Sequence, residues 1–309
     1  MVNIFKKKPK ITYDFEFRKS KLFRREKIIS ILFIALPLLG FLIFTVFSMV
    51  ASAAMSFTDF KATSSSFKLV GFKNYIDLFT NPIYSESFKR SIKNTLLLMI
   101  GVPIGMIAGL ILATFLNNKK IKGRKFFRIL FYFPAISGAV AINIIWRYIF
   151  NNEYGLAGFI FGKNIHWLSD PVFLKVALII KGVWNGLGGT MLLYLAGMQG
   201  ISSSLYEVAE LDGANEFQKF MRITFPLITP VTFYLLITGV IGGLQSYADS
   251  QVFAQGHQEA QTIVFFIWSR GIDQGRYGIA TAASVILSVA IMIVTVIQFR
   301  LSNKWVYEN

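Results

Sequence analysis

Long apolar runs alternate with short polar segments along the whole chain. The runs fall near residues 28–51, 92–116, 129–150, 172–199, 227–248 and 279–301. Each has the roughly 20 residues that a helix needs to cross about 30 Å of hydrocarbon. Because a membrane-spanning backbone must satisfy its own polar groups, the pattern predicts an all-α integral membrane protein with six transmembrane helices. Residues 28–309 form its transmembrane domain and residues 1–27 a basic tail. Six crossings place both termini on one side.

Charge decides which side. The chain carries 32 Lys and Arg against 16 Asp and Glu, a formal charge of +16, with a mean hydropathy of +0.54. A nucleic-acid partner would require those cations on a folded soluble face. Here they lie between apolar runs. The tail, the 117–128 turn, the 200–226 loop and the C-terminal end hold most of them, and Lys119, Lys120, Lys122, Arg124, Lys125 and Arg128 crowd one turn without an acid. Cations near membrane ends remain inside the cell, so these segments and both termini are expected in the cytoplasm, with 151–171 and 249–278 outside. In the tail, Phe15, Phe17, Leu22 and Phe23 alternate with Arg18, Lys19, Lys21, Arg24 and Arg25. That suits either a segment lying on anionic lipid or a solvated basic arm. Ala51-Ser52-Ala53 has the look of a signal-peptide cleavage site. The run from Ile28 to Val50 is nevertheless long enough to span, and a retained helix is expected.

The residues also limit the chemistry. Without cysteine there are no disulfides, thiolate nucleophiles or Cys-ligated metals. A polytopic membrane enzyme would need a D-x-D pair, G-x-S-x-G or H-E-x-x-H. His257-Gln258-Glu259 lacks the second histidine, and Gly162-Lys163-Asn164 lacks the preceding glycine and the Ser or Thr of a phosphate loop. No catalytic residue, metal site or cofactor is expected on this chain. An ion-coupled secondary transporter would need buried acids within its spans. The runs hold no Asp or Glu, and their cations include Arg147, Lys175 and Lys181. The first two lie near span ends and can snorkel outward. Gly101, Gly105 and Gly109, four residues apart, form a smooth strip for close helix packing. Trp184-Asn185-Gly186-Leu187-Gly188-Gly189 predicts a loosened helix lining a path, or a tight helix crossing.

The 200–226 loop is the most specific feature. It runs from Leu205-Tyr206-Glu207-Val208-Ala209-Glu210-Leu211-Asp212-Gly213-Ala214 to Phe217, Phe220, Ile223 and Pro226, with Pro230 beyond. Glu207–Leu211 predicts one short helix, Gly213 a positive-φ turn, and a second helix follows from about Asn215. Tyr206, Ala209, Phe217 and Phe220 then offer an apolar face rimmed by Glu207, Glu210 and Asp212, and such a face needs a partner groove.

This loop resembles the cytoplasmic signature loop of binding-protein-dependent ABC import permeases, E-A-A followed three positions later by G, in its carbohydrate (maltose-type and glycerol-phosphate-type) branch. Val208 replaces the first alanine. Val70-Gly71-Phe72-Lys73-Asn74-Tyr75 and Tyr132-Phe133-Pro134 also resemble that branch, so the likeness covers about residues 30–305. Some maltose permeases carry a large inserted external domain that is absent here. The resemblance implies a non-catalytic permease in a bacterial or archaeal cell membrane, paired with a second homologous permease. It further implies two ATPase subunits that hold ATP and Mg, an extracellular or periplasmic solute-binding protein, and a sugar moved by alternating access. Tyr206, Glu207, Ala209, Asp212, Gly213, Ala214, Phe217 and Phe220 are then the ATPase-coupling residues. Stretches matching those that line the sugar site in maltose-type permeases nominate Trp184, Asn185, Gly189, Thr238, Gly242, Gln245 and Tyr247, amide, hydroxyl and aromatic groups suited to a polyol. Lys181, one turn before Asn185, either snorkels outward or meets an acidic sugar such as a uronate.

Overall fold

The computed structural model describes residues 21–64, 66–118, 120–162, 164–307, and the side chains from Arg25 onward. The tail residues before 21, Lys119 and Lys163 lie outside the described residues. The chain divides into two units, Met1–Ala54 and Met55–Asn309. In the first, helix α1 (Arg25–Met55, its last residue in the second unit) runs unbroken through Ala51-Ser52-Ala53 and includes a π-helical stretch at Phe41–Val46.

The second unit contains, in order, α2 (Lys73–Thr80), α3 (Ser85–Asn117), α4 (Arg124–Ile136), α5 (Ala139–Ile149) and α6 (Leu156–Phe161). Then follow α7 (Pro171–Gln199), α8 (Ser203–Leu211), α9 (Glu216–Leu227), α10 (Thr229–Leu244), α11 (Ile263–Trp268) and α12 (Tyr277–Ser302). Among the described residues the only β feature is the isolated bridge Thr58–Leu69. The helices α1, α3, α7 and α12 are each long and apolar enough to cross a membrane. The pairs α4–α5 and α9–α10 bring the total to six if each counts as one crossing.

The first pair breaks the single run expected at 129–150, whereas the second bends at the start of the run expected at 227–248, where the loop helix hands over to it. α4 and α5 meet at 102°, because Ser137 and Gly138 both adopt extended backbone (ψ 148° and 130°) just after Pro134, whose ring nitrogen has no hydrogen to donate. α9 and α10 meet at 60° around Ile228, which lies between Pro226 and Pro230. There the Thr229 hydroxyl donates to the Pro226 carbonyl at 2.6 Å, replacing the amide that Pro230 lacks.

α7 is the axis of the unit. Asp170 caps its N-terminus, accepting from the amides of Val172 and Phe173, and Pro171 occupies the first turn, where its missing N–H costs nothing. Its first turns bury Leu174, Ala177 and Leu178 against Phe150, Trp167 and Phe253, and its last turns bury Met191, Tyr194, Leu195 and Met198 against Ala113, Leu116 and Ile228. Gly101, Gly105 and Gly109 let α3 lie against α7, and a Cβ at Gly109 would come within 2.5 Å of the Thr190 methyl. Of the two readings of residues 184–189, a loosened helix or a tight crossing, the loosening does not occur, since α7 is helical throughout. Gly188 serves a tight crossing instead: a Cβ there would lie 2.2 Å from the Phe131 carbonyl oxygen of α4. Packing from α4 thus compensates the poor helix propensity of these glycines. With α7 fixed at both ends, its middle turns are free to border a cavity.

Candidate functional site

Between those two anchored ends lies a cavity of about 530 Å³, walled by α3, α5, α7, α10 and the turn after α10. That volume is within the range of small-molecule sites. Its polar groups are Lys181, Asn185 and Thr190 of α7, Thr238 of α10, and Ser246 and Asp249 beyond it. Gly182, Gly186 and Gly242 make the space, because a Cβ at any of them would have no neighbour within 4 Å. The Thr238 hydroxyl donates to the Tyr234 carbonyl at 2.8 Å, leaving its oxygen free to accept.

Of the eight path residues named from sequence, Lys181, Asn185, Thr238 and Gly242 line this cavity and Trp184, Gly189, Gln245 and Tyr247 do not. Trp184 packs edge-on to Trp146 at 5.3 Å, and Tyr247 stacks between Phe265 and Trp268 at 6.2 and 5.7 Å. Gln245 ends α10 as an exposed side chain, and Gly189 lies off the wall. For Trp184 helical geometry gives the reason: residues 185 and 186 share a face with 181 and 182, whereas 184 turns towards Trp146 of α5.

Lys181 is buried and forms an ion pair with Asp249, a residue expected in the external loop. An unpaired ammonium at this depth would be costly, and the carboxylate offsets that cost. Sequence reasoning missed Asp249 because it lies just past the last apolar run. The available signal was an acid five residues beyond Leu244, within reach of a lysine that had no other partner. The end of α7 towards this loop is fixed similarly: Glu259 accepts from Lys175 at 3.3 Å and from Arg90 of α3 at 3.4 Å. His257 caps its own turn, its Nδ1 accepting from the Glu259 amide at 3.3 Å.

The 200–226 loop folds as two short helices. α8 closes in a Schellman turn, with the Ala214 amide donating to the Ala209 carbonyl at 2.9 Å, the Gly213 amide to the Glu210 carbonyl at 3.0 Å, and Gly213 at φ +76°. This geometry accounts for Ala209, Gly213 and Ala214: the glycine takes the left-handed position and the two small residues meet across the turn. α9 starts on a capping box in which Asn215 and Gln218 exchange side-chain and backbone hydrogen bonds, each 2.9 Å. Lys219 is buried and joins both helices, reaching Glu210 at 2.7 Å and Glu216 at 2.6 Å. Glu210 holds the Lys219 ammonium above its ordinary pKa, and Lys219 holds the Glu210 carboxyl below its own. The Tyr206 and Thr224 hydroxyls lie 2.8 Å apart.

The apolar face of this loop differs from the expected one. Tyr206, Ala209 and Phe220 turn partly inward, whereas Phe217 (72% exposed), Leu205, Val208, Leu211 (89% exposed) and Met221 are exposed. Glu207 and Asp212 flank it as exposed carboxylates, while Glu210 is engaged by Lys219. Leu211 and Val208 were missed because which side of α8 faces outward depends on the Lys219 clamp, a tertiary contact.

The family described as "Binding-protein-dependent transport system inner membrane component" matches residues 101–307. The chain is 33% identical over 303 residues to the probable ABC transporter permease protein YesP of Bacillus subtilis, covering 94% of this chain and 96% of that one. It is 31% identical over 299 residues to the arabinooligosaccharides transport system permease protein AraP of the same organism, covering 93% of each. Its fold is similar to a chain in the crystal structure of a bacterial alginate ABC transporter in complex with an alginate pentasaccharide-bound periplasmic protein. There the TM-score is 0.79 and the identity 24%, over 92% of this chain and 97% of that one.

Proposed function

The chain belongs to the binding-protein-dependent transport system inner membrane component family, as a permease subunit of an ABC importer for sugars or oligosaccharides, and from that membership we propose how its parts divide the work. It crosses the membrane six times, the bent pair α4–α5 making one crossing and α10 another that α9 leads into, with both termini and the α8–α9 loop in the cytoplasm. The loop seats in a groove of an ATPase subunit and carries ATP-driven closure to the bundle. The cavity beside α7 forms part of the sugar path. A second permease, two ATPase subunits that bind ATP and Mg, and an external solute-binding protein complete the assembly. Sugar moves as the bundle rocks between inward-open and outward-open states.

One observation carries this reading: a loop held rigid by Gly213, the Asn215–Gln218 box and the Lys219 clamp nonetheless leaves Leu211 and Phe217 almost bare. A small element that invests this much internal bonding while exposing large apolar side chains is built to dock. The test uses the absence of native cysteine. Leu211→Cys should cross-link to an ATPase subunit bearing single cysteines in its groove, and the yield should change when ATP is added. Cross-linking to no ATPase position, with the complex intact, refutes the docking role.

A further inference from the structure

Among the described residues that line the cavity, Lys181 and Asp249 are the only ionisable ones, and they neutralise each other. The pair is asymmetric. The lysine side chain is 4% exposed and the aspartate 28%, so the accessible part of the pair is the carboxylate. Its Oδ1 accepts from the Lys181 Nζ, and its Oδ2 accepts no hydrogen bond among the described residues. The same cavity is lined by the Asn185 amide and the Thr190, Thr238 and Ser246 hydroxyls, on an otherwise apolar wall.

We propose that this pair makes the chain's wall of the path selective for uncharged sugars, with Asp249 accepting hydrogen bonds from sugar hydroxyls and Lys181 positioning the carboxylate. The inference rests on the sugar-permease reading above. A uronate carboxylate entering a mostly apolar cavity needs a cation to offset its lost hydration. The one cation on this wall is already engaged and shielded behind Asp249, so the uronate would meet a second carboxylate and be repelled. A neutral polyol brings hydroxyl donors instead, and a donor to an ionised carboxylate makes a stronger bond than one to a neutral acceptor. Lys181 therefore does not mark an acidic substrate. It holds the Asp249 carboxylate in place.

The test is uptake by the complete complex in proteoliposomes, with arabinotriose, maltotriose and raffinose as neutral probes and trigalacturonate as the anionic one. The wild-type complex should favour its best neutral probe over trigalacturonate by at least tenfold in kcat/KM. Asp249→Asn uncovers the cation, and should raise KM for that neutral probe about tenfold and admit trigalacturonate. Since this variant leaves a buried charge unpaired, the double variant Lys181→Met with Asp249→Leu serves as the second arm, because replacing both members of a buried pair by apolar groups is tolerated. It should assemble to the wild-type level and show the raised KM, which a merely structural pair would not produce. Trigalacturonate taken up as well as the neutral probes, or a wild-type KM in the double variant, overturns the inference. A complex that assembles and hydrolyses ATP yet moves none of the four sugars counts against the sugar-permease reading itself.

Discussion

Gly213 is the position where one atom should do the most damage to coupling. Its φ of +76° lies in the left-handed region, and a Cβ added there would meet nothing within 4 Å. The cost of substitution is therefore backbone strain alone, uncomplicated by steric clash. For an ordinary L-residue that strain is about 1–2 kcal/mol, smaller for asparagine and larger for a β-branched side chain. A penalty of about 1.4 kcal/mol shifts a two-state equilibrium tenfold. Gly213→Ala should thus reduce the population of the docking geometry about five- to thirtyfold in the free loop. Lys219 and the Asn215–Gln218 box recover part of that by holding α9 in place. The expected order of transport per ATP hydrolysed in proteoliposomes is wild type, then Gly213→Asn, Gly213→Ala and Gly213→Val. Membrane insertion should be unchanged, since the glycine is exposed and outside the apolar runs. Equal coupling in the Val and Asn variants would refute the claim that the left-handed turn aims the docking face.

Lys219→Met should detach α8 from α9 and lower retention of the ATPase on purification, as should Glu207→Lys, which reverses charge on the rim. Hydrogen exchange of the loop amides would report the loosening in Lys219→Met but not in Glu207→Lys. The same exchange measurement carries a pH signature. The Glu210 carboxyl is held below its ordinary value, so its contribution is complete at neutral pH and disappears as pH falls through that depressed value in the acid range. In the cavity, Asn185→Ala should alter sugar KM or preference while Gln245→Ala leaves both unchanged, because only Asn185 lines the wall. For topology, Asn152→Cys should label with a membrane-impermeant thiol reagent added outside intact cells and Ser202→Cys should not.

Much of this architecture was legible because the relevant signals are local. An apolar run long enough to span identifies itself, and Gly213 announced a left-handed turn because few other residues take one. Asn215 with Gln218 three positions later is a helix start that can be read from four residues. What sequence did not reveal depends on contacts made after folding. The 102° bend at Ser137-Gly138 lies within a run whose composition is spanning throughout, and small residues there fit either a bend or a packing strip. Gly186 and Gly188 are two residues apart and indistinguishable by type. One opens the cavity and the other lets α4 approach, a difference set by which neighbour each one faces. Asp249 acquires its role only because α7 brings Lys181 to it across 68 positions of sequence. The outward face of α8 is chosen by the Lys219 clamp, which no periodicity encodes.

The most direct test of the proposed ATP-driven sugar permease is uptake of a labelled oligosaccharide by proteoliposomes containing the chain with the proposed second permease, ATPase subunits and binding protein, with no ion gradient imposed. Uptake should require ATP on the cytoplasmic face together with the binding protein, and should cease when the ATPase subunits are omitted. Accumulation driven by a proton or sodium gradient without ATP would contradict it.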